Sequence, residues 1–284
     1  MVFITIIFFV EREEKMKGGK ILLILTALVL TVIVVTSWPS KKARLVFCDV
    51  GQGDGVLLSR GTFQMLYDVG RDNGKMRKCL ERYLPFWDRK IEVVILSHWD
   101  NDHVGGLEDM GKSYKMEKVF SGVRAEGEFE QKIYTEILRQ NDVLRGDWFK
   151  FEVIWPERGS GVGEEKMDSN EMSLVGVLRV ADKRILLMGD APVGVEQKLV
   201  WRKVLQSRIG EDGVDVLKVG HHGSNTSTSE ELLEEVRAKM GVIGVGKNSF
   251  GHPTKEVLAR LEKFGVEVKR TDEDGDVVMV MAKE

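Results

Sequence analysis

Cysteine is nearly missing from this chain, with two in 284 residues. At most one disulfide can form, and Cys48, in an apolar strand-like stretch, and Cys79, in a helical one, leave both its formation and the redox compartment open. Net basic charge is missing too: 42 Lys and Arg against 45 Asp and Glu give −3 at pH 7. No overall field draws the chain onto nucleic acid, which argues against a protein that coats DNA; a nuclease can still recruit phosphate through metals and a local patch. No repeat is visible at a period of roughly 20–50 residues, so a repeat architecture is not indicated. Histidine is scarce, five in all, and this makes its placement informative. The rest is ordinary for a globular protein, 43% hydrophobic and 31% charged, enough for one large domain or two small ones.

Long apolar runs are also few. Ile21 to Thr36 is continuous, preceded by Lys15, Lys17 and Lys20 and followed by Ser37-Trp38-Pro39. It falls slightly short of the roughly 20 residues of a bilayer span, and Trp38 suits an interface. No Ala-x-Ala cleavage site follows, and no cysteine for lipidation, which favours a membrane anchor over a cleaved signal peptide. Lys41, Lys42 and Arg44 beyond the run weaken the charge asymmetry that would set orientation. Val2 to Val10 is apolar but too short to span; it is either an interfacial piece or upstream of a true start at Met16. The expected division is an N-terminal segment, 1–40, and a folded domain, 41–284.

Within that domain one stretch stands out. Ile91 to Leu96 is an apolar, β-branched strand that empties into Ser97-His98-Trp99-Asp100-Asn101-Asp102-His103-Val104-Gly105-Gly106. Two of the five histidines and two carboxylates share this window. Strand-like alternation puts His98, Asp100 and Asp102 on one side, with His103 opening a helix, a set of N and O ligands for two divalent cations rather than one. Gly105 and Gly106 let backbone pass close by. The bland alternative is an exposed acidic turn after a core strand.

Other strand ends carry polar residues as well. Arg44–Cys48 runs into Asp49-Val50-Gly51-Gln52-Gly53-Asp54, followed by a strand over 55–59; Phe63–Tyr67 ends at Asp68; Arg184–Met188 delivers Gly189-Asp190; Val214–Val219 precedes Gly220-His221-His222-Gly223-Ser224. Strands are also expected at 118–120, 151–155, 172–180, 242–245, 266–269 and 277–281. Helices are expected at 76–84, 129–139, 195–205, 230–240 (capped by Ser227, Thr228 or Ser229) and 254–264, the last opened by Pro253. Glu157–Asp168 is a charged, Gly-rich loop and a candidate lid. Strands meeting helices twice over imply an α/β fold of two face-to-face sheets with helices outside, a four-layer αββα sandwich. Convergence of five polar strand ends builds a cleft.

The 97–106 motif resembles the His-x-His-x-Asp-His signature of metallo-β-lactamase fold hydrolases, with Asp100 where the second His usually stands. That departure, with Asp49–Asp54, Asn170–Val175, Asp215–Ser224 and Gly251-His252-Pro253, is similar to the C-terminal domains of ComEC-type competence proteins, a likeness that covers most of Arg44 to Met281. The resemblance implies two divalent metals held by His98, Asp100, Asp102, His103, Asp190 and His221. Asp190 would bridge them, and His222 would orient His221 or touch substrate, the choice between the two histidines staying open. Asn170 falls near a third metal-binding His of the family, so the oxygen-rich set favours Mn²⁺ over Zn²⁺. The implied reaction is phosphodiester hydrolysis in DNA by a hydroxide shared between the metals, with Asp102, Asp190, His222 and His252 catalytic and His252 protonating the leaving alkoxide. Lys218, Asn170, Ser173 and Ser224 are candidates to grip phosphate, and Asp49, Gln52, Asp54 and Asp68 to support the ligands. Plainer roles exist for Lys218 as a solvated strand-edge lysine, Ser173 and Ser224 as turn residues, and His252 as a helix-start residue beside Pro253. A small-molecule hydrolase acting on a lactone, β-lactam or phosphoester, and a non-catalytic membrane-anchored binding protein, are the other function classes. The expected location is membrane-anchored with an extracytoplasmic catalytic domain, or secreted if the segment is cleaved. With a single candidate span, DNA uptake would require a separate channel protein as partner.

Overall fold

A computed structural model describes residues 18–32, 38–124, 133–159 and 168–281. The chain divides into two units, Met1–Pro39 and Ser40–Glu284. In the first, residues 18–32 are helical. No helix among the described residues is long and apolar enough to cross a membrane. The 2–10 stretch lies outside the described residues.

In the second unit, the described strands are β1 Ala43–Phe47, β2 Gly55–Arg60, β3 Phe63–Val69, β4 Lys90–Leu96, β5 Lys115–Ser121, β6 Glu136–Ile137 and β7 Val143–Arg145. They continue with β8 Phe149–Trp155, β9 Val175–Val180, β10 Lys183–Leu187, β11 Val216–Lys218, β12 Met240–Ile243, β13 Glu267–Arg270 and β14 Val277–Met281. Two seven-stranded sheets result, ordered β14-β1-β2-β3-β4-β5-β6 and β13-β12-β11-β10-β9-β8-β7. Each has an antiparallel half and a parallel half, β3 to β6 in one and β10 to β13 in the other.

Alternation along the strands explains the layering, because each sheet has two apolar faces. Leu45, Leu58, Tyr67 and Ile95 of the first sheet meet Phe151, Leu178, Ile185 and Leu187 of the second in the central layer. The opposite face of the first sheet, Val46, Leu57, Leu66 and Val94, packs on Met76 and Leu80 of helix Lys75–Tyr83 and on Leu107 and Met110. Leu186, Leu217 and Val219 on the outer face of the second sheet meet Leu199, Leu232, Leu233, Val257 and Leu261. Helices therefore cover both outer faces, giving the four-layer α/β sandwich. A disulfide joins Cys48, just beyond β1, to Cys79 in the helix Lys75–Tyr83, with Cα atoms 6.0 Å apart.

Some elements differ from expectation. The helix expected over 129–139 gives way at 136–137 to β6, where Glu136 and Ile137 pair in parallel with Phe120 and Ser121; sheet-edge pairing overrides the local pattern. The helix starting at Glu230 stops at Val236, because Arg237 turns left-handed (φ 42°) and Met240 joins the sheet opposite Val216. The helix over 195–205 becomes two, Val193–Trp201 and Val204–Ile209, broken at Lys203 (φ 55°). The strand begun at Met172 starts instead at Val175, after a 3₁₀ turn over Asn170–Met172. Ser229 is the cap, its side chain accepting from the Leu232 amide. Most of the 157–168 loop lies outside the described residues.

Candidate metal centre

The carboxyl ends of β3, β4, β10 and β11 open at one pole, where a parallel sheet leaves a crevice for ligands. Ser97 and His98 follow β4, Asp190 follows β10 through Gly189, and His221 and His222 follow β11. Gly189 takes φ +54°, and a Cβ there would lie 2.9 Å from the Ser97 Cβ and 3.1 Å from the Ser173 Cβ. Only glycine lets the chain turn between those walls to present Asp190. Gly106 has a related reason: its Cβ would stand 2.4 Å from the Val69 carbonyl.

Three imidazoles are fixed the same way. His103 donates from Nδ1 to Asp68 at 2.9 Å, which leaves Nε2 facing Asp190 at 3.3 Å. His222 donates from Nδ1 to the Gly244 carbonyl at 2.7 Å, and its Nε2 lies 3.5 Å from Asp102 and 3.4 Å from Asp190. His98 sets Nδ1 against the Ser97 hydroxyl at 2.9 Å and Nε2 toward Asp100 at 3.5 Å. All three Nε2 atoms are buried without a hydrogen-bond partner, as is Asp190 Oδ1. Orphaned nitrogens so oriented are costly unless something binds them, and this is the tautomer pattern by which a protein presents histidine to a metal. Asp54, His103, Asp190 and His222 offer ligand atoms within 4.8 Å of one another. The donor set, imidazole nitrogen with carboxylate oxygen, fits divalent cations.

Electrostatics tell the same story. Burial pushes the His103 imidazole down, but the Asp190 and Asp68 carboxylates outweigh it and hold the ring well above the usual range. Burial likewise opposes His222, yet Asp190 and Asp54 raise it to about 9. Burial would raise Asp190, and the His103 and His222 rings instead hold it well below the ordinary carboxylate value. Asp102 is likewise pulled down against burial, by His222 and His103. Protons thus supply the positive charge this carboxylate cluster demands, and a cation would displace them.

Support comes from Asp68, which accepts from the Ser97 amide and hydroxyl, both at 2.7 Å, besides His103. Asp68, His221 and His222 adopt φ of 57°, 45° and 52°, strained for residues with a side chain. Such strain persists where surrounding structure enforces it, commonly at functional sites. Asp54 is ion-paired with Lys218 and faces the Nδ1 edges of His103 and His222 at 3.7 Å, so it backs the ligands although it lies within the same cluster. Gln52 is buried and accepts from the Gly246 amide at 3.4 Å. Asp49 stands apart, paired with Lys75 at 3.0 Å.

The expected phosphate-gripping residues are placed differently. Lys218 is fully buried, donating to the Gly189 carbonyl at 2.8 Å and standing 3.6 Å from Asp190, which it holds in place from within the core. Ser173, also fully buried, accepts from the Asp190 amide at 3.1 Å and lies 3.4 Å from His98. The Ser224 hydroxyl is engaged with Thr226 at 3.0 Å, a turn contact. Asn170 keeps Oδ1 buried and unpartnered, next to Ser169 at the start of a 3₁₀ turn. His221 sits at the mouth, its Nε2 3.8 Å from Asp190, its Nδ1 3.3 Å from the Thr226 hydroxyl, its pKa lowered by burial. Of the two adjacent histidines, His222 points inward and His221 stays at the rim. His252 stands beside His221, ring centroids 5.7 Å apart, with Nδ1 buried and unpartnered; burial and the neighbouring imidazoles lower its pKa.

Three contributors escaped the sequence reading. Ser97 ties Asp68 to His98, Tyr67 donates to the Leu174 carbonyl at 2.6 Å and walls Gly189, and Arg71 lies 3.8 Å from Asp102 at the open side. A serine between an apolar strand and the first histidine was the available signal for Ser97.

The family model of the metallo-beta-lactamase superfamily matches residues 48–247, more than half of the chain and all the polar strand ends just described. The chain belongs to the metallo-β-lactamase superfamily. It is accordingly a metal-dependent hydrolase by family, with a buried Asp/His cluster able to hold metal. Among curated relatives, Recombination protein 2 of Haemophilus influenzae is 31% identical over 91% of this chain and 31% of its own length. ComE operon protein 3 of Bacillus subtilis is 28% identical over 84% of this chain and 33% of its own, and Competence protein ComA of Neisseria gonorrhoeae is 29% identical over 84% and 32%. The chain thus spans about a third of the length of these ComEC-type relatives. Among solved structures, the metallo-beta-lactamase fold protein YhfI of Bacillus subtilis aligns with a TM-score of 0.55 at 14% identity, covering 85% of this chain and all of that one, a likeness of fold alone.

Proposed function

We propose that this superfamily member is a phosphodiesterase that cuts DNA using two divalent cations, Mn²⁺ or Zn²⁺. The observation that carries the hydrolytic reading is that His103 and His222 each turn an unpartnered Nε2 toward Asp190, while His98, its ring 4.1 Å from that of His103, keeps its own Nε2 unpartnered beside Asp100. DNA as substrate is supported by relatives named for competence and recombination.

His98 and Asp100, with Asn170, would hold one cation; Asp102, His103 and His222 the other; Asp190 both. The oxygen-rich first set favours Mn²⁺. When bound, such cations supply an activated water at neutral pH and neutralise charge building on phosphate oxygens. The chain's own residues do the rest. Asp68, Ser97 and the Gly244 carbonyl lock the imidazole orientations, and Lys218 and Ser173 position Asp190. His252 is neutral in the free protein, and a phosphate anion at the mouth raises its pKa toward the form that protonates a leaving oxygen. Arg71 is placed to meet a phosphate at the entrance.

We place this activity outside the cytoplasm, tethered by the apolar N-terminal run. The buried Cys48–Cys79 disulfide supports an oxidising compartment. A separate channel protein is the proposed partner. Cleavage of single- and double-stranded DNA by the chain, with and without added Mn²⁺, tests the reading. Metal-dependent scission is expected. Bound metal with turnover of small esters or lactones but not DNA would mark a small-molecule hydrolase, and a chain that takes up no metal would mark a binding protein.

A further inference from the structure

The pole opposite the metal centre holds a cavity of about 920 Å³, wholly within the Ser40–Glu284 unit. Ala43 opens β1 there, Arg60 closes β2, Val180 closes β9 and Met281 closes β14. Hairpin registers fix the polarity: Arg60 pairs with Phe63 and Val180 with Lys183 at this end, whereas Gly55 pairs with Val69 and Gly176 with Leu187 at the end that leads to Asp54, Asp68 and Asp190. At about 3.3 Å per residue the strands separate the two poles by roughly 20 Å.

The cavity wall carries Lys41, Lys42, Arg60, Arg145, Lys150 and Arg179, and Asp147 is the one carboxylate among its lining residues. Lys150 and Arg179 share Glu152, at 3.0 and 3.4 Å. Arg60 donates to the Lys41 carbonyl at 2.9 Å and lies over the Trp148 ring at 5.6 Å, meeting no carboxylate. Lys41, Lys42 and Arg145 are exposed and form no ion pair with any described residue. Three exposed cations without a carboxylate partner thus cluster around this one cavity.

We propose that this pole docks on the anionic phosphate headgroups of a phospholipid bilayer; the proposal rests on the membrane-tethered reading above. Charge complementarity is joined by chain continuity. Lys41 follows the apolar run, which ends at Thr36, by five residues, a reach of at most about 18 Å, with exposed Trp38 between. Docking there would turn the metal centre away from the bilayer. Nucleic acid fits less well, because a strand engaging the metal centre would have to cross the whole sandwich to reach the cavity.

Flotation of the full chain with vesicles of phosphatidylcholine alone, or with about 30% phosphatidylglycerol, tests this. The triple variant Lys41→Gln/Lys42→Gln/Arg145→Gln, with a cooperative thermal transition confirming its fold, is expected to keep its partitioning into neutral vesicles. It should lose about fivefold of its preference for anionic vesicles per charge removed, on the order of a hundredfold in total, with hydrolysis in solution unchanged. Raising salt should produce the same loss in the unaltered chain. Equal preference in variant and unaltered chain would overturn the docking pole and leave the tether intact. A chain that floats on neither vesicle overturns the tether and the proposal together. Loss of oligonucleotide binding in EDTA, with vesicle binding unchanged, would make the pole a nucleic-acid surface and overturn the proposal.

Discussion

His221 and His222 are sequence neighbours that part in space, both in left-handed backbone, one turned to the rim and the other into the carboxylate cluster. His222→Ala is therefore expected to lose one bound cation per chain by mass spectrometry of the metal content, while His221→Ala retains both; equal loss would reject the inward assignment. Protonation makes a second residue-level prediction. The His222 pKa is raised, from about 6.5 unfolded to about 9 folded, so in metal-free protein its contribution is fully present below about pH 6.5 and is lost as pH rises through about 9. His103 acts in the same direction. EDTA-treated protein should melt at lower temperature at about pH 9.5 than at 6.5, with up to roughly 3 kcal/mol at stake from His222, while divalent cations bind tighter as pH rises. Identical melting at the two values would show that the imidazoles are not proton-bridged to Asp190.

Lys218 illustrates what one-dimensional reading misses: a lysine between Leu217 and Val219 is fully buried because β11 lies between β10 and β12 and its Nζ is claimed by Gly189, Asp54 and Asp190. Strands ending in His or Asp were legible, since an apolar β-branched run followed by ligand-type residues reads as a buried strand meeting a polar site, although an exposed turn fits the same pattern. The short edge strands β6 and β7 were not, because their pairing depends on neighbours remote in sequence. The disulfide was open from sequence, and its structural role belongs to this scale: it pins the helix Lys75–Tyr83 to the end of β1 across 31 residues. Its reduction should lower stability by about 3–4 kcal/mol, read as a fall in the denaturant midpoint; an unchanged midpoint would show that the helix is held by the packing of Met76 and Leu80 alone. Gly189→Ala should reduce metal affinity and lower the melting temperature together, since its Cβ would press on Ser97 and Ser173 at a positive φ.

In the Ser40–Glu284 unit, two sheets of mirrored halves place the buried Asp/His cluster at one pole and the Lys41, Lys42 and Arg145 group around a cavity at the other. The layering was readable from strands meeting helices twice over, but the pairing of β14 with β1, which closes the first sheet with the last strand, was not. We propose that Asp190 would join two cations, with His98, His103 and His222 among their further ligands. Direct measurement is metal content after equilibrium dialysis of the full chain against Mn²⁺, compared with Asp190→Asn, which preserves shape while removing charge. Two ions per chain, reduced to one or none in the variant with its melting profile nearly unchanged, is the predicted result; an unaltered chain that retains no metal would contradict it.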